Sequence, residues 1–593
     1  MGYMTRYDHQ RNSSRTVNVW PESYMGSGAE AVKYRFQWNY PIFFSPHDEN
    51  ILYTAGNHLF RSKDEGQSWQ VISPDLTRND PKTLKSSGGP ITQDNTSVEY
   101  YATIFAAKES THEKGVIWAG SDDGLLHITK DDGKNWQKVT PRKLPKWAQI
   151  NSIEIDPFNK GGLFIAATQY KSDDFSPYLF HTKNYGKSWQ RIDKGIDRSH
   201  FTRVIRADSK VKGLLYAGTE NGLYISYDNG KKWQSFKLNL PQVPITDLAV
   251  KNDDLIVATQ GRSLWIMDDL TSIREFDKKS FDKSIQLLQP RDSYRLDTYT
   301  ASAPGPKGEN LKNGVQVSFY LPEEPLTKST HKKDKEGKKA LTLRFTDKAG
   351  AVLREFSTTA KKKHNLLKVE KGFNRFSWDM RTTPPRRFDG MMLWANSMTG
   401  YKVTMGEYNV ELIHGSKEEA VTLTESFTII ADPRTDATAE DFFQQITYAK
   451  DVWQTLDNTH KVIGNIRDLT KAIKAIQEKI ADNEKYAPLN ELADNMLKEM
   501  DTIENTLYQT KSKARQDPLG FPVKLNDKLN SVYGSVIYGD KRPTNQQNEV
   551  TKIVTEKILV ELKLFEELQK TLLPKFNQLM IDLAVPTLLV KTE

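Results

Sequence analysis

The sequence predicts a mainly β protein in three parts. An incomplete β-propeller covers residues 1–275, an immunoglobulin-like β-sandwich 283–432, and an α-helical bundle 437–593. Three observations predict it. The turn pattern Ser/Thr-x-Asp/Asn-x-Gly-x-x-Trp occurs at 62–69, 129–136, 182–189 and 226–233. Short alternating strands without that turn follow. From Thr438 onward, apolar residues recur at helical steps of three and four.

Each position of the turn has a physical task. The side chains of Asp64, Asp131, Asn184 and Asp228 fold back onto backbone N–H groups. Gly66, Gly133, Gly186 and Gly230 supply the positive φ that a Cβ would penalise. Trp69, Trp136, Trp189 and Trp233 open the next strand and bury a large ring against the neighbouring sheet. The flanking grammar repeats as well: Ile117-Trp118-Ala119-Gly120-Ser121-Asp122-Asp123-Gly124 is matched by Leu215-Tyr216-Ala217-Gly218-Thr219-Glu220-Asn221-Gly222. Four strands per unit of about 45 residues, repeated radially, make a propeller.

In chain order, residues 1–20 read as strand, turn, strand, the outer half of a blade. Blades follow at about 34–80, 98–140, 149–193 and 201–237, then a last unit at 245–269 whose turn has degenerated. About five and a half blades barely close a ring. The expectation is that an upstream propeller segment of the same protein, or a second chain, completes it. In the sandwich, strands are expected at 315–321, 341–345, 374–380 and 406–412, with a hairpin at 347–350. The Lys-rich stretches 328–339 and 361–371 read as solvated loops. Helices are expected at 438–480, 488–512, 523–538 and 545–582, the first capped by Thr438 with Asp441 three residues on.

Composition excludes several chemistries. The chain of 593 residues has no cysteine, hence no disulfide, thiol nucleophile or Cys-ligated metal. A net charge of +8 with scattered lysines argues against nucleic acid as partner. No apolar run reaches the ~18 residues of a membrane span, and the first residues lack a signal-peptide core. No phosphate loop, nucleophile elbow, zinc motif or dinucleotide fingerprint occurs, so no cofactor or metal is expected.

Candidate site residues follow from blade geometry. The repeated turns lie on one face; the loops between second and third strands, and the links between blades, lie on the other. That second face gathers Asp122, Asp123, Tyr170, Asp173, Asp174, Glu220 and Arg262, and the links add Glu99, Tyr100, Trp147, His200 and Arg203. Converging carboxylates could cleave a glycosidic bond, one as acid and one as base. Asp173-Asp174, in a longer loop with Tyr170 and Tyr178, is the strongest such candidate, while acidic–Gly pairs such as Asp123-Gly124 are also ordinary turn formers. The same rim, with its aromatic and Arg residues, could instead bind a peptide or glycan without chemistry, and the bundle could serve as an assembly scaffold.

The repeated turn resembles the Asp-box, or BNR repeat, of sialidases, xyloglucanase-type glycosidases and sortilin-type propellers. Residues 20–590 more specifically resemble the C-terminal portion of large exported bacterial proteins of the sortilin-like, "glycosyl hydrolase" type. Carrying this are 115–124, 212–220, Gly261-Arg262-Ser263-Leu264-Trp265, 373–381 and 523–529. The resemblance implies an exported, periplasmic or cell-surface protein with further repeats upstream, binding protein or glycan ligands or hydrolysing a polysaccharide. The family commonly has His where this chain has Gln260, which removes any acid–base role there.

Overall fold

The computed structural model describes residues 3–275, 284–296, 308, 310–327, 339–394, 398–415, 419–480 and 483–585. The chain divides into two compact units, Met1–Lys278 and Lys279–Glu593.

The first unit is a run of antiparallel sheets, each wound in strand order. Four have four strands: Ile42–Ser45 to Gln70–Val71, Ile104–Glu109 to Gln137–Lys138, Gln149–Ile155 to Gln190–Arg191, and Thr202–Ala207 to Gln234–Ser235. A fifth has three strands, Ile245–Lys251, Asp254–Thr259 and Leu264–Met267. From the second blade on, the first strands of successive sheets pack side by side, so the sheets are propeller blades about a shared axis. Ala, Val, Ile and Leu fill these inner strands; Ala119, Ala166 and Ala217 are buried where neighbouring blades approach.

The repeated turn is built as its residue types require. Asp64, Asp131, Asn184 and Asp228 each accept, at 2.9 Å, the backbone N–H four residues on. The preceding Ser or Thr hydroxyl accepts the glycine N–H at 2.8–3.1 Å. Each indole then reaches across to the next blade back. Trp136, Trp189 and Trp233 donate Nε1–H to the carbonyls of Ile72, Val139 and Ile192, the residues just after the outer strands of the preceding blades. The turn glycines pack on those same residues: a Cβ on Gly186 would lie 2.6 Å from Val139 Cβ. Trp233 is fully buried; the other three rings are partly buried, and Trp136 and Trp189 also pack against the cores between blades.

This register identifies the first hairpin. Trp69 donates to the Val17 carbonyl, just after the hairpin Thr5–Asp8 and Ser13–Thr16, and Gly66 packs on the Val17 side chain. The hairpin therefore occupies the outer-strand position of a blade ahead of the first complete one. At the other end, a short helix, Thr271–Glu275, follows the third strand of the fifth blade. Its buried Arg274 pairs with Asp208 and Asp253. Ile42 and Phe44 on the first blade, and Leu264 and Ile266 on the fifth, are exposed.

The second unit begins with two facing sheets. One orders Gln286–Leu287, Val315–Leu321 and Gly372–Trp378; the other holds Ser293–Arg295, Val421–Ala431, Gly406–His414, Leu341–Asp347 and Val352–Ser357. Their alternating apolar residues share a core in which Trp378 stacks on Phe345 at 4.3 Å. Helices Ala439–Ile480, Ala487–Leu507, Leu525–Val536 and Asn545–Asp582 follow. Thr438 and Asp441 form the expected reciprocal cap. Sheets and helices are one body: Met391 and Met398, from the loop between strands, join the helical core, and Tyr508 and Asp527 bond the backbone of Met392 and Trp394. Of the Lys-rich stretch 328–339, residues 328–338 lie outside the described residues.

Candidate functional site on the face away from the turns

Two clusters form where the inner strands of the second, third and fourth blades end. In the first, Asp122 is buried, its carboxylate accepting both the N–H and the hydroxyl of Thr103 at 2.9 Å. This bond ties the second strand of the blade to the start of its own first strand. Burial, reinforced by the neighbouring Asp123 charge, pushes Asp122 up to about 7. Asp123 is also buried and raised by desolvation; it accepts from Ser121 Oγ at 2.5 Å and Arg78 N at 2.7 Å. The Arg78 guanidinium sits 4.7 Å above the Trp147 ring, which lies 6.4 Å from Tyr101.

The second cluster is aromatic. Tyr170 stacks on Phe201 with centroids 4.8 Å apart and planes 12° from parallel, and Phe175 lies 6.1 Å from Phe201. Arg203 stands over Phe201 at 5.2 Å and pairs with Glu220 at 2.6 Å. A polar chain joins the clusters. Lys171 bonds Gln149 at 3.3 Å and lowers Asp122 through its charge; Gln149 bonds Asn151, which donates to the carbonyl of Thr202.

The other sequence candidates divide. Asp173 is exposed, in the left-handed conformation (φ 62°) that closes the 3₁₀ turn Tyr170–Ser172. Asp174 is bonded by Tyr178 and by Ser176 N–H; burial raises its pKa, but these bonds hold it below the usual carboxylate value. Asp173 and Asp174 therefore do not act as matched neighbours. Glu99 is exposed and takes bonds from Trp38 and Thr96, which lower it. Tyr100 does not reach the rim surface: it is 5% exposed, and its hydroxyl donates to the Ser27 carbonyl inside a small core under residues 24–32. His200 bonds the Tyr224 hydroxyl at 2.8 Å rather than the Arg203–Glu220 pair. Arg262 is exposed on the fifth blade, where its carbonyl accepts from Trp265.

Phe201, Phe175 and Arg78 in these clusters, and Trp38 beside Glu99, were not among the sequence candidates. Phe201 carried a usable signal, an aromatic residue directly ahead of an inner strand; Arg78 reaches its partners only across two blades. Among the described residues, no group of three or more His, Cys, Asp or Glu is placed to hold a metal ion.

No protein-family model matches the chain. Among curated proteins it is similar to the vacuolar protein sorting/targeting protein PEP1 of Saccharomyces cerevisiae, 37% identical over 70 residues, covering 12% of this chain and 4% of that protein. It is also similar to the oligoxyloglucan-reducing end-specific xyloglucanase of Emericella nidulans, 24% identical over 122 residues, 19% of this chain and 14% of that one. The chain thus spans only a small part of these relatives. Similar solved structures include the GH74 xyloglucanase from Xanthomonas campestris, at 12% identity and TM-score 0.31, covering 69% of this chain and 66% of that one. Another is YCF48 bound to D1 peptide, at 18% identity and TM-score 0.27, covering 40% and 64%.

Proposed function

We propose that the first unit is a glycan-binding propeller whose ligand lies across the inner ends of the second to fourth blades. The observation that carries this reading is the Tyr170–Phe201 stack flanked by the Arg203–Glu220 pair. An aromatic face accepts the C–H side of a sugar ring, while a paired guanidinium and carboxylate donate to and accept from its hydroxyls. Calorimetric titration with xyloglucan-type oligosaccharides and a peptide library tests it. Tyr170→Ala, which removes the half-buried outer ring of the stack, and Arg203→Ala should each weaken glycan binding about tenfold with blade stability retained. Peptide binding alone, or glycan binding indifferent to Tyr170→Ala, would refute it.

Glycoside hydrolysis is the second reading, favoured by Asp122. A carboxyl held protonated up to about pH 7 is the group that a leaving oxygen needs, and Asp174 or Glu220 would activate water. The xyloglucanase relative supports the same direction. Release of reducing ends that disappears in Asp122→Asn would favour it; release unchanged in Asp122→Asn and Asp174→Asn would sink it.

Under either reading the repeated turns are Asp-boxes of the sortilin-like kind, and the two-sheet module is an immunoglobulin-like sandwich. The protein works outside the cytoplasm; among the described residues no helix is long and apolar enough to cross a membrane. A further propeller segment, upstream or on a second chain, covers the exposed Ile42–Phe44 and Leu264–Ile266 faces.

A further inference from the structure

The second unit holds a cleft of about 890 Å³ between the two-sheet module and loop residues 384–392 and 398–400. Its walls carry Arg354, Lys362, Lys363, Arg381, Arg386 and Arg387 against two aspartates, Asp379 and Asp389. Arg386 is engaged by Asp457, and Arg381 by the Gly400 carbonyl. Arg354 is different. It is 8% exposed; its Nη2 donates to the His364 carbonyl at 3.0 Å, and its Nη1 has no partner. Asn365 Oδ1 and Thr399 Oγ1, from the same walls, are buried without a partner too. A buried guanidinium N–H, amide oxygen and hydroxyl left unbonded are costly, so their clustering points to a missing guest.

The three orphans specify that guest's chemistry. Arg354 asks for an oxyanion, whereas Asn365 Oδ1 asks for a hydrogen-bond donor, which a simple anion lacks and an acidic sugar has. Phe376 lines the same cleft and offers a ring for a sugar face, while Phe356 and Phe388 there already lie under the Arg354 and Arg467 guanidiniums. The Lys-rich run 361–371 extends the surface. Its Lys368 and Lys371 line a cleft of about 660 Å³ beside Glu370, and its Lys361 and Lys362 line one of about 610 Å³ where Arg344 is paired with Glu355. One segment threading three clefts suits a polymer better than a single small anion.

We propose that Arg354 and the 361–371 run form a binding track for an acidic polysaccharide, carboxylated or sulfated. Arg354 seats one anionic group, Asn365 and Thr399 hold its hydroxyls, and the lysines follow the chain. The test titrates the full chain with oligogalacturonate, a sulfated heparin oligosaccharide, a neutral xyloglucan oligosaccharide and single-stranded RNA. One or both acidic glycans should bind, the neutral one should not bind at this track, and added salt should weaken the complex about tenfold. Arg354→Gln should lower affinity about tenfold. Lys362→Gln with Lys363→Gln, both exposed and safe for folding, should lower it similarly. Tyr170→Ala should leave acidic-glycan binding unchanged, separating this track from the propeller site. Failure of both acidic glycans to bind, binding that survives both sets of variants, or preference for RNA would overturn the proposal.

Discussion

Asp122→Asn separates the energetics of the propeller site from its chemistry. Asp122 titrates at about 7 in the folded protein against an ordinary 3.8. A folded pKa above the unfolded one means that the carboxyl's contribution is fully present below pH 4 and is lost as pH rises toward 7. At about 1.4 kcal/mol per unit, the loss reaches about 4 kcal/mol as an upper bound. Asparagine keeps both bonds, accepting from Thr103 N–H through Oδ1 and donating to its hydroxyl through Nδ2, and it cannot ionise. The variant should match wild type at pH 4 and exceed it by about 2–4 kcal/mol at pH 8. Peptide-resolved hydrogen exchange over residues 103–109, corrected for intrinsic rates, reads the difference within one blade. An offset that is the same at both pH values would refute the reasoning.

Three further outcomes are expected. Trp233→Phe removes a buried indole and its bond to Ile192, and should destabilise the first unit by about 1–3 kcal/mol in urea titration, more than Trp69→Phe. Burial holds His460 at about 4, below its ordinary 6.5, so its contribution is present above pH 6.5 and is lost as pH falls through 4. The helical CD transition should lose about 2.5 kcal/mol between pH 7 and 4.5, and His460→Gln should abolish that slope. Gly133→Ala places a Cβ 2.5 Å from the Ile72 carbonyl at φ 89° and should cost about 3 kcal/mol, whereas Gly350→Ala, at φ 88° in open space, should cost about 1. Thermal shifts of the two variants rank them.

Features written within a few residues were legible in the sequence. The Asp–Gly–Trp turn is local, and each of its hydroxyl and carboxylate hydrogen bonds spans at most four residues; strand order and the Thr438–Asp441 cap were readable for the same reason. Contacts between blades were not. Nothing in the stretch around Arg78 announces that it will bond Asp123, 45 residues away. Tyr100 looked like a rim aromatic because the chain before the second blade gave no sign that residues 24–32 fold over it. The fusion of sheets and helices was hidden likewise, since Met391 and Met398 lie in an irregular loop without periodicity.

The indole-to-carbonyl bonds fasten each of the first four blades to the outer strand before it, while Trp265 of the fifth blade bonds within its own sheet. In such an array the first three blades can open only after losing two fasteners, and the fourth after losing one. Whole sheets could be added by duplication without redesign, since each of these four joints uses the same donor and the same kind of acceptor.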